Sequence, residues 1–143
     1  MIQYQTYTKD RSVRFDGEEL SSIASLKWMP LFGEDSDVNS ARQMDVVWFG
    51  KDGNPLFFFE VEHTVDFGNA LNKLAMLSHL NAALRVVGPD EMRSLFEVEM
   101  QKLHQVSTST QYGFISYSEL AHLYETAIPF ITLRNHLLGN SRG

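Results

Sequence analysis

Apolar residues along this chain fall into two rhythms. Met44 to Phe49 and Leu56 to Val61 are nearly unbroken β-branched and aromatic runs, separated by Gly50-Lys51-Asp52-Gly53-Asn54. Two such runs joined by turn-forming residues predict an antiparallel strand–turn–strand hairpin. Both runs are apolar on both faces, the habit of strands central to a covered sheet. The spacing then changes. Phe67, Ala70, Leu71, Leu74 and Leu77 recur at helical intervals, which predicts an amphipathic helix from Asp66 to Leu80.

The same reading extends to both ends. A short strand is expected near Ser12 to Phe15. Asp16-Gly17-Glu18-Glu19 reads as a helix start, with Asp16 and Glu19 spaced as a capping box and Leu20, Ile23, Ala24 and Trp28 as the stripe. Pro30 to Ser40 is rich in Gly, Asp, Ser and Asn and reads as a loop. Ala82 to Val87 is a third strand, halted by Gly88-Pro89. Pro89 with Asp90 and Glu91 opens a helix carrying Met92, Leu95, Phe96 and Leu103. A polar loop, Ser107 to Thr110, leads to a strand at Tyr112 to Tyr117. Ser118 is expected to cap a helix holding Leu120, Leu123 and Tyr124, Pro129 to interrupt it, and Phe130 to Leu138 to form a last short helix. The order is αββαβαβα. A hairpin followed by alternating strands and helices predicts an α/β fold, a mixed central sheet flanked by helices. The 143 residues are expected to form a single domain over 1–143.

Composition narrows the chemistry. There is no cysteine, which excludes disulfides and thiolate metal sites. No apolar run approaches the ~20 residues of a membrane span, and Met1-Ile2-Gln3-Tyr4-Gln5 lacks signal-peptide character, so a cytoplasmic location with no membrane partner is expected. The net charge of −6 argues against a general nucleic-acid coat protein. A site that gathers carboxylates for a metal would itself push the balance negative.

Asp45 opens the first hairpin strand, and the second ends Phe59-Glu60-Val61-Glu62-His63-Thr64. Side chains alternate along a strand, so Glu60 and Glu62 share a face. Two carboxylates directly after Phe57-Phe58-Phe59 are costly, because burial and like charge both disfavour ionisation. With the hairpin in register, Asp45 is expected beside them. Three converging carboxylates suit Mg²⁺ or Mn²⁺, hard ions that select oxygen ligands. The alternative is a pair of solvated glutamates at a sheet edge. His63 faces away from Glu62 if the strand continues, or turns in to orient a ligand or phosphate. Lys73 lies on the polar side of its helix with Asn69 and Asn72.

Asp at the start of one hairpin strand, with Glu-x-Glu ending the next and a helix following, resembles the PD-(D/E)XK nuclease core. Met44-Asp45-Val46-Val47-Trp48-Phe49 with Phe59-Glu60-Val61-Glu62-His63-Thr64 resembles more closely a group of restriction-endonuclease-like proteins in which an "iDVvWf" strand precedes an "FEVEhT" strand. The likeness runs on through Arg85-Val86-Val87-Gly88-Pro89-Asp90-Glu91 and Phe114-Ile115-Ser116-Tyr117-Ser118-Glu119-Leu120, covering Val13 to Tyr124. It implies a restriction-endonuclease-like core with Asp45, Glu60 and Glu62 as metal ligands. Glu62 stands where the superfamily more often has lysine, and a glutamate cannot do that cationic work. Some relatives move the basic residue to the following helix, which nominates Lys73. A first-helix glutamate, here Glu18, is an auxiliary ligand in many of them.

Two readings follow. One is a metal-dependent nuclease acting on nucleic acid, DNA more than RNA, in a restriction or defence context and with a homodimer as one expected assembly. Arg11, Arg14, Lys27, Arg42 and Lys73 would supply a basic patch. The other is an inactive nuclease fold retained as a binding or regulatory module, a weaker variant being a toxin–antitoxin or phage-defence component making protein contacts only. Fold alone does not separate them.

Overall fold

The computed structural model describes residues 5–9, 14–15, 18–19, 26, 28–64, 67–104 and 111–138. Its centre is a five-stranded sheet in the order β1-β4-β5-β6-β7, built from β1 (Gln5–Thr8), β4 (Val46–Phe49), β5 (Pro55–Val61), β6 (Ala83–Gly88) and β7 (Tyr112–Ser116). A separate hairpin pairs β2 (Arg14–Phe15) with β3 (Glu18–Glu19). The first two pairings of the large sheet are antiparallel and the last two parallel, so the sheet is mixed, as expected.

The predicted hairpin is the core of this sheet. Val46 pairs with Phe59, Val47 with Phe58 and Trp48 with Phe57, and a bulge follows Trp48. The turn closes with Gly50 N–H donating to the Asn54 carbonyl at 2.9 Å, while Asp52 accepts from the Asn54 N–H at 3.0 Å. Gly53 sits there at φ +80°, a conformation in which a side chain would be strained. Both parallel connections then cross through helices, α2 (Gly68–Ala75) after β5 and α3 (Arg93–His104) after β6.

Val47, Phe49, Phe58, Leu84, Val86 and Phe114 form one buried sheet face, and Leu71, Leu74, Leu77, Phe96 and Met100 belong to the same core. Rings of Phe67, Phe96 and Phe114 close it with centroids 5.6–6.3 Å apart. The opposite face carries Trp48, Phe57 and Phe59. With Leu120 and Leu123 of α4 (Tyr117–Leu138), these line an apolar hollow of about 370 Å³. Helices therefore flank both sides. Among the described residues no helix is long and apolar enough to cross a membrane.

Several local expectations are corrected. Glu18–Glu19 is a strand, not a helix start: its backbone pairs with Arg14–Phe15 across a two-residue connection, a hairpin length. Leu20, Ile23 and Ala24 of that expected helix, and the expected loop at Ser107 to Thr110, lie outside the described residues. Asp35–Ala41 is a helix, α1, where a loop was expected. Glu34 and Asp37 satisfy each other's backbone N–H groups at its start, and Val38 and Ala41 are buried beneath it. The β1 strand was not foreseen, because its alternation is polar and aromatic rather than apolar. The helix after β5 ends at Ala75 and gives way to tight turns through Leu80, with Met76, Leu77, Ser78 and Leu80 donating three residues back. Ser116, not Ser118, caps α4. Its hydroxyl accepts the Glu119 N–H at 3.1 Å while the Glu119 carboxylate accepts the Ser116 N–H at 2.9 Å. Pro129 does not interrupt α4, which runs unbroken to Leu138. A proline removes one helical hydrogen bond, and the turns on either side carry the helix past it.

Leu74 is fully buried, whereas Leu133 on α4 is 55% exposed. Leu74→Ala should lower unfolding free energy by about 2–5 kcal/mol, and Leu133→Ala should stay within about 0.5 kcal/mol of wild type. Urea unfolding of the two variants checks the assignment of core and surface.

Candidate active site

The antiparallel register decides which polar groups meet. Since Val46 faces Phe59, Asp45 stands opposite Glu60, one step further along. The two are joined reciprocally. The Asp45 N–H donates to Glu60 Oε1 at 3.0 Å, and the Val61 N–H donates to Asp45 Oδ2 at 2.8 Å. Each carboxylate thus satisfies a backbone donor at the mouth of the hairpin, where the ladder runs out of partners.

Two lysines complete the group. Lys73 of α2 reaches Glu60 Oε2 at 2.8 Å, and Lys9, just after β1, reaches Asp45 Oδ1 at 2.9 Å. Lys9 also donates to the Gln43 carbonyl at 3.4 Å, and the Thr8 hydroxyl to the Asp45 carbonyl at 3.2 Å. Lys73 is therefore no idle surface residue. Its helix faces Glu60 because Ala70, Leu71 and Leu74 seat α2 on the core. Sequence reasoning missed Lys9; the strand-forming Thr6-Tyr7-Thr8 before it was the available signal.

Glu60 is only 5% exposed. Burial pushes its carboxyl above the ordinary range, and the negative charge of Asp45 adds to the rise, while the hydrogen bond and charge of Lys73 pull against it. Glu62 behaves differently. Its N–H extends the parallel ladder to the Val87 carbonyl at 2.8 Å, but its carboxylate folds back to accept from Thr64 N–H at 3.0 Å and Thr64 Oγ1 at 2.8 Å. The Glu62 backbone approaches Gly88 so closely that a Cβ there would lie 2.7 Å from the Glu62 carbonyl oxygen. Glycine is required at that position.

His63 lies on the α4 side, its Nδ1 hydrogen-bonded to the Tyr117 hydroxyl. Burial, and secondarily the charge of Glu62, raise the Tyr117 hydroxyl above its usual range. Tyr117 thereby fixes the imidazole through Nδ1. Glu18 belongs to β3 rather than to a helix. Of the expected basic patch, Arg42 bonds Asn39 at 3.2 Å; Arg11 and Lys27 lie outside the described residues. His79 pairs with the buried Asp37 at 2.7 Å. Asp37 is held below the usual carboxylate range, chiefly by the Glu34 backbone N–H.

Asp45, Glu60, Glu62 and His63 occupy one end of the sheet, where β5 ends and β4 begins. Carboxyl ends of parallel strands are where open α/β sheets place ligand sites. The donor set there fits a divalent cation in part. Asp45 and Glu60 offer adjacent hard oxygens, each already paired with a lysine. Among the described residues no three acidic or histidine side chains are gathered into a ready metal cluster.

The raised proton affinity of Glu60 has a definite sign. The folded state binds that proton more tightly than the unfolded chain. Glu60 therefore subtracts stability as pH climbs from the ordinary carboxylate value of 4.5 through the raised folded one. Glu60→Gln should flatten this fall when urea midpoints are compared between about pH 4 and pH 7. Lys73→Met, which removes an opposing influence, should shift the Glu60 titration further upward in carboxyl-detected NMR. An unmoved titration would contradict the pairing.

Comparison with curated proteins and with solved structures gives no match. Comparison with protein families gives one that spans nearly the whole chain, and its restriction-enzyme character agrees with an α/β sheet bearing an acidic edge. Residues 3–133 match the Type II restriction enzyme NmeDI C-terminal domain, and the chain belongs to that family.

Proposed function

We propose that this protein is a metal-dependent nuclease of the PD-(D/E)XK kind, hydrolysing phosphodiester bonds in DNA within a restriction or defence context. The observation that carries the reading is Lys73. On this reading Glu62 stands where such enzymes more often have lysine, and Lys73 of α2 brings an ammonium group to the buried Glu60 instead. DNA, rather than RNA, is favoured by the restriction enzyme for which the family is named.

Asp45 and Glu60 would hold Mg²⁺ or Mn²⁺ through their carboxylate oxygens, with Glu62 released from Thr64 as a third oxygen donor or as a partner of the attacking water. When bound, such an ion polarises a phosphoryl oxygen and acidifies water. Lys73 then needs a new partner, and a phosphate oxygen beside Glu60 is one its ammonium can neutralise as charge develops. Lys9 holds Asp45 oriented and neutralised from the β1 side. His63, fixed by Tyr117 through Nδ1, would offer its Nε2 to a phosphate oxygen there.

One observation favours the second reading, a nuclease fold acting only by binding. Lys73 and Lys9 already balance Glu60 and Asp45, so the network is electrically complete with protein groups alone. Calorimetric titration of Mn²⁺ into wild type and Glu60→Ala, with supercoiled-plasmid nicking on the same samples, separates the two. The nuclease reading expects binding and nicking in wild type and neither in Glu60→Ala. Lys73→Ala should keep Mn²⁺ binding and lower nicking by about a hundredfold or more. Wild type that binds no Mn²⁺ would leave the binding-module reading standing.

A further inference from the structure

Lys73 borders a second feature. Residues of α1 and α2 and the turns that follow them line a groove of about 460 Å³, formed by Asn39, Ser40, Gln43, Met44, Lys73 and Met76. That volume lies within the range of small-ligand sites. Its chemistry is graded. Lys73 stands at the end nearest the acidic pair. Asn39 and Gln43, four positions apart, present amides on one side of α1, which the Gln43 and Met44 N–H groups extend by bonding to the Ser40 and Ala41 carbonyls at 3.1 Å. Met44 is buried as the floor, and Met76 is a 64% exposed apolar wall. Among the described residues no carboxylate lines this groove. The adjoining hollow, which shares Ser40 and Met76, is edged instead by Glu34 and Asp37.

A cation at one end, amide donors and acceptors along the side and a soft thioether wall match the parts of a nucleotide. Its phosphate is an anion, and its base is a flat apolar plate with a hydrogen-bonding edge. Side-chain amides read such edges, adenine in particular, and methionine adapts to flat apolar partners. Lys73, the one charged group that lines the groove among the described residues, draws the backbone of a bound strand to its side and leaves the base toward α1. The Gln43 side-chain amide has no hydrogen-bond partner among the described residues, so it is available to a ligand.

We infer that this groove is the nucleoside subsite next to the scissile phosphate, with Asn39 and Gln43 as specificity-determining residues and Met76 against the base. The inference rests on the nuclease reading of Asp45, Glu60 and Lys73. It adds a base preference at a position beside the cut, read from α1 rather than from the sheet.

The test uses the full chain with fluorescein-labelled mixed-sequence DNA, read by anisotropy, and nick sites mapped at nucleotide resolution with Mn²⁺. Asn39→Ala/Gln43→Ala should weaken DNA binding by about tenfold and flatten the base preference beside the nick, with Mn²⁺ affinity unchanged. Met76→Lys should tighten DNA binding and Met76→Glu weaken it, a split by charge sign that a merely structural role would not produce. The exposed Met76 pair decides the matter if the double variant fails to fold. Wild-type DNA binding and nicking in the double variant and both Met76 variants would overturn the groove and leave the nuclease reading untouched. Wild type that binds neither Mn²⁺ nor DNA would remove that reading and the subsite with it.

Discussion

The pairing of β4 with β5 governs the rest of the molecule. With Val47 opposite Phe58, both side chains enter the core, and the next inward position on each strand beyond them is Asp45 and Glu60. A slip of one residue would send Glu60 into the apolar face beneath α4 and lift Phe58 out of the core. Register is strongly specified here because each face has its own demand. One needs Val47, Phe49 and Phe58 against α2 and α3, and the other packs Trp48 against Phe57 and Phe59 with ring centroids 4.8–5.7 Å apart. The acids inherit their places from the hydrophobic pattern.

That inheritance sets an electrostatic problem. A carboxylate as buried as Glu60 resists ionisation, and Asp45 beside it makes ionisation harder. The protein answers with two ammonium groups from elements far apart in sequence, Lys9 and Lys73, and with reciprocal backbone donors at the hairpin mouth. Removing one partner of such a group leaves a buried charge uncompensated, a strongly destabilising change. A balanced arrangement of this kind is also poised. Any ligand that offers positive charge to the acids and negative charge to the lysines can take over both halves of the network together.

Much of this was legible in the chain. The hairpin, the helix after it, the strands β6 and β7, and the pairing of Asp45 with Glu60 all follow from apolar periodicity and from turn residues such as Gly53. Those signals are local, and packing reinforces them. The helix at Asp35–Ala41 was hidden by its polar composition: its capping acids and serines are also loop residues, and only the burial of Val38 and Ala41 selects the helix. Ser118 was the nearer guess for capping α4 because sequence shows two serines and not which of them faces the free N–H groups.

The sequence by itself determined an α/β domain with a central apolar hairpin and acids at its exit, because strand alternation and helical spacing are properties of consecutive residues. Tertiary structure decided which charges meet those acids. Lys9 arrives through the edge strand β1, Lys73 through the docking of α2, and Glu62 is drawn off to Thr64 instead of joining Asp45 and Glu60. Such choices depend on side chains brought together across the fold, where Coulomb attraction and desolvation act over distance in space and not along the chain.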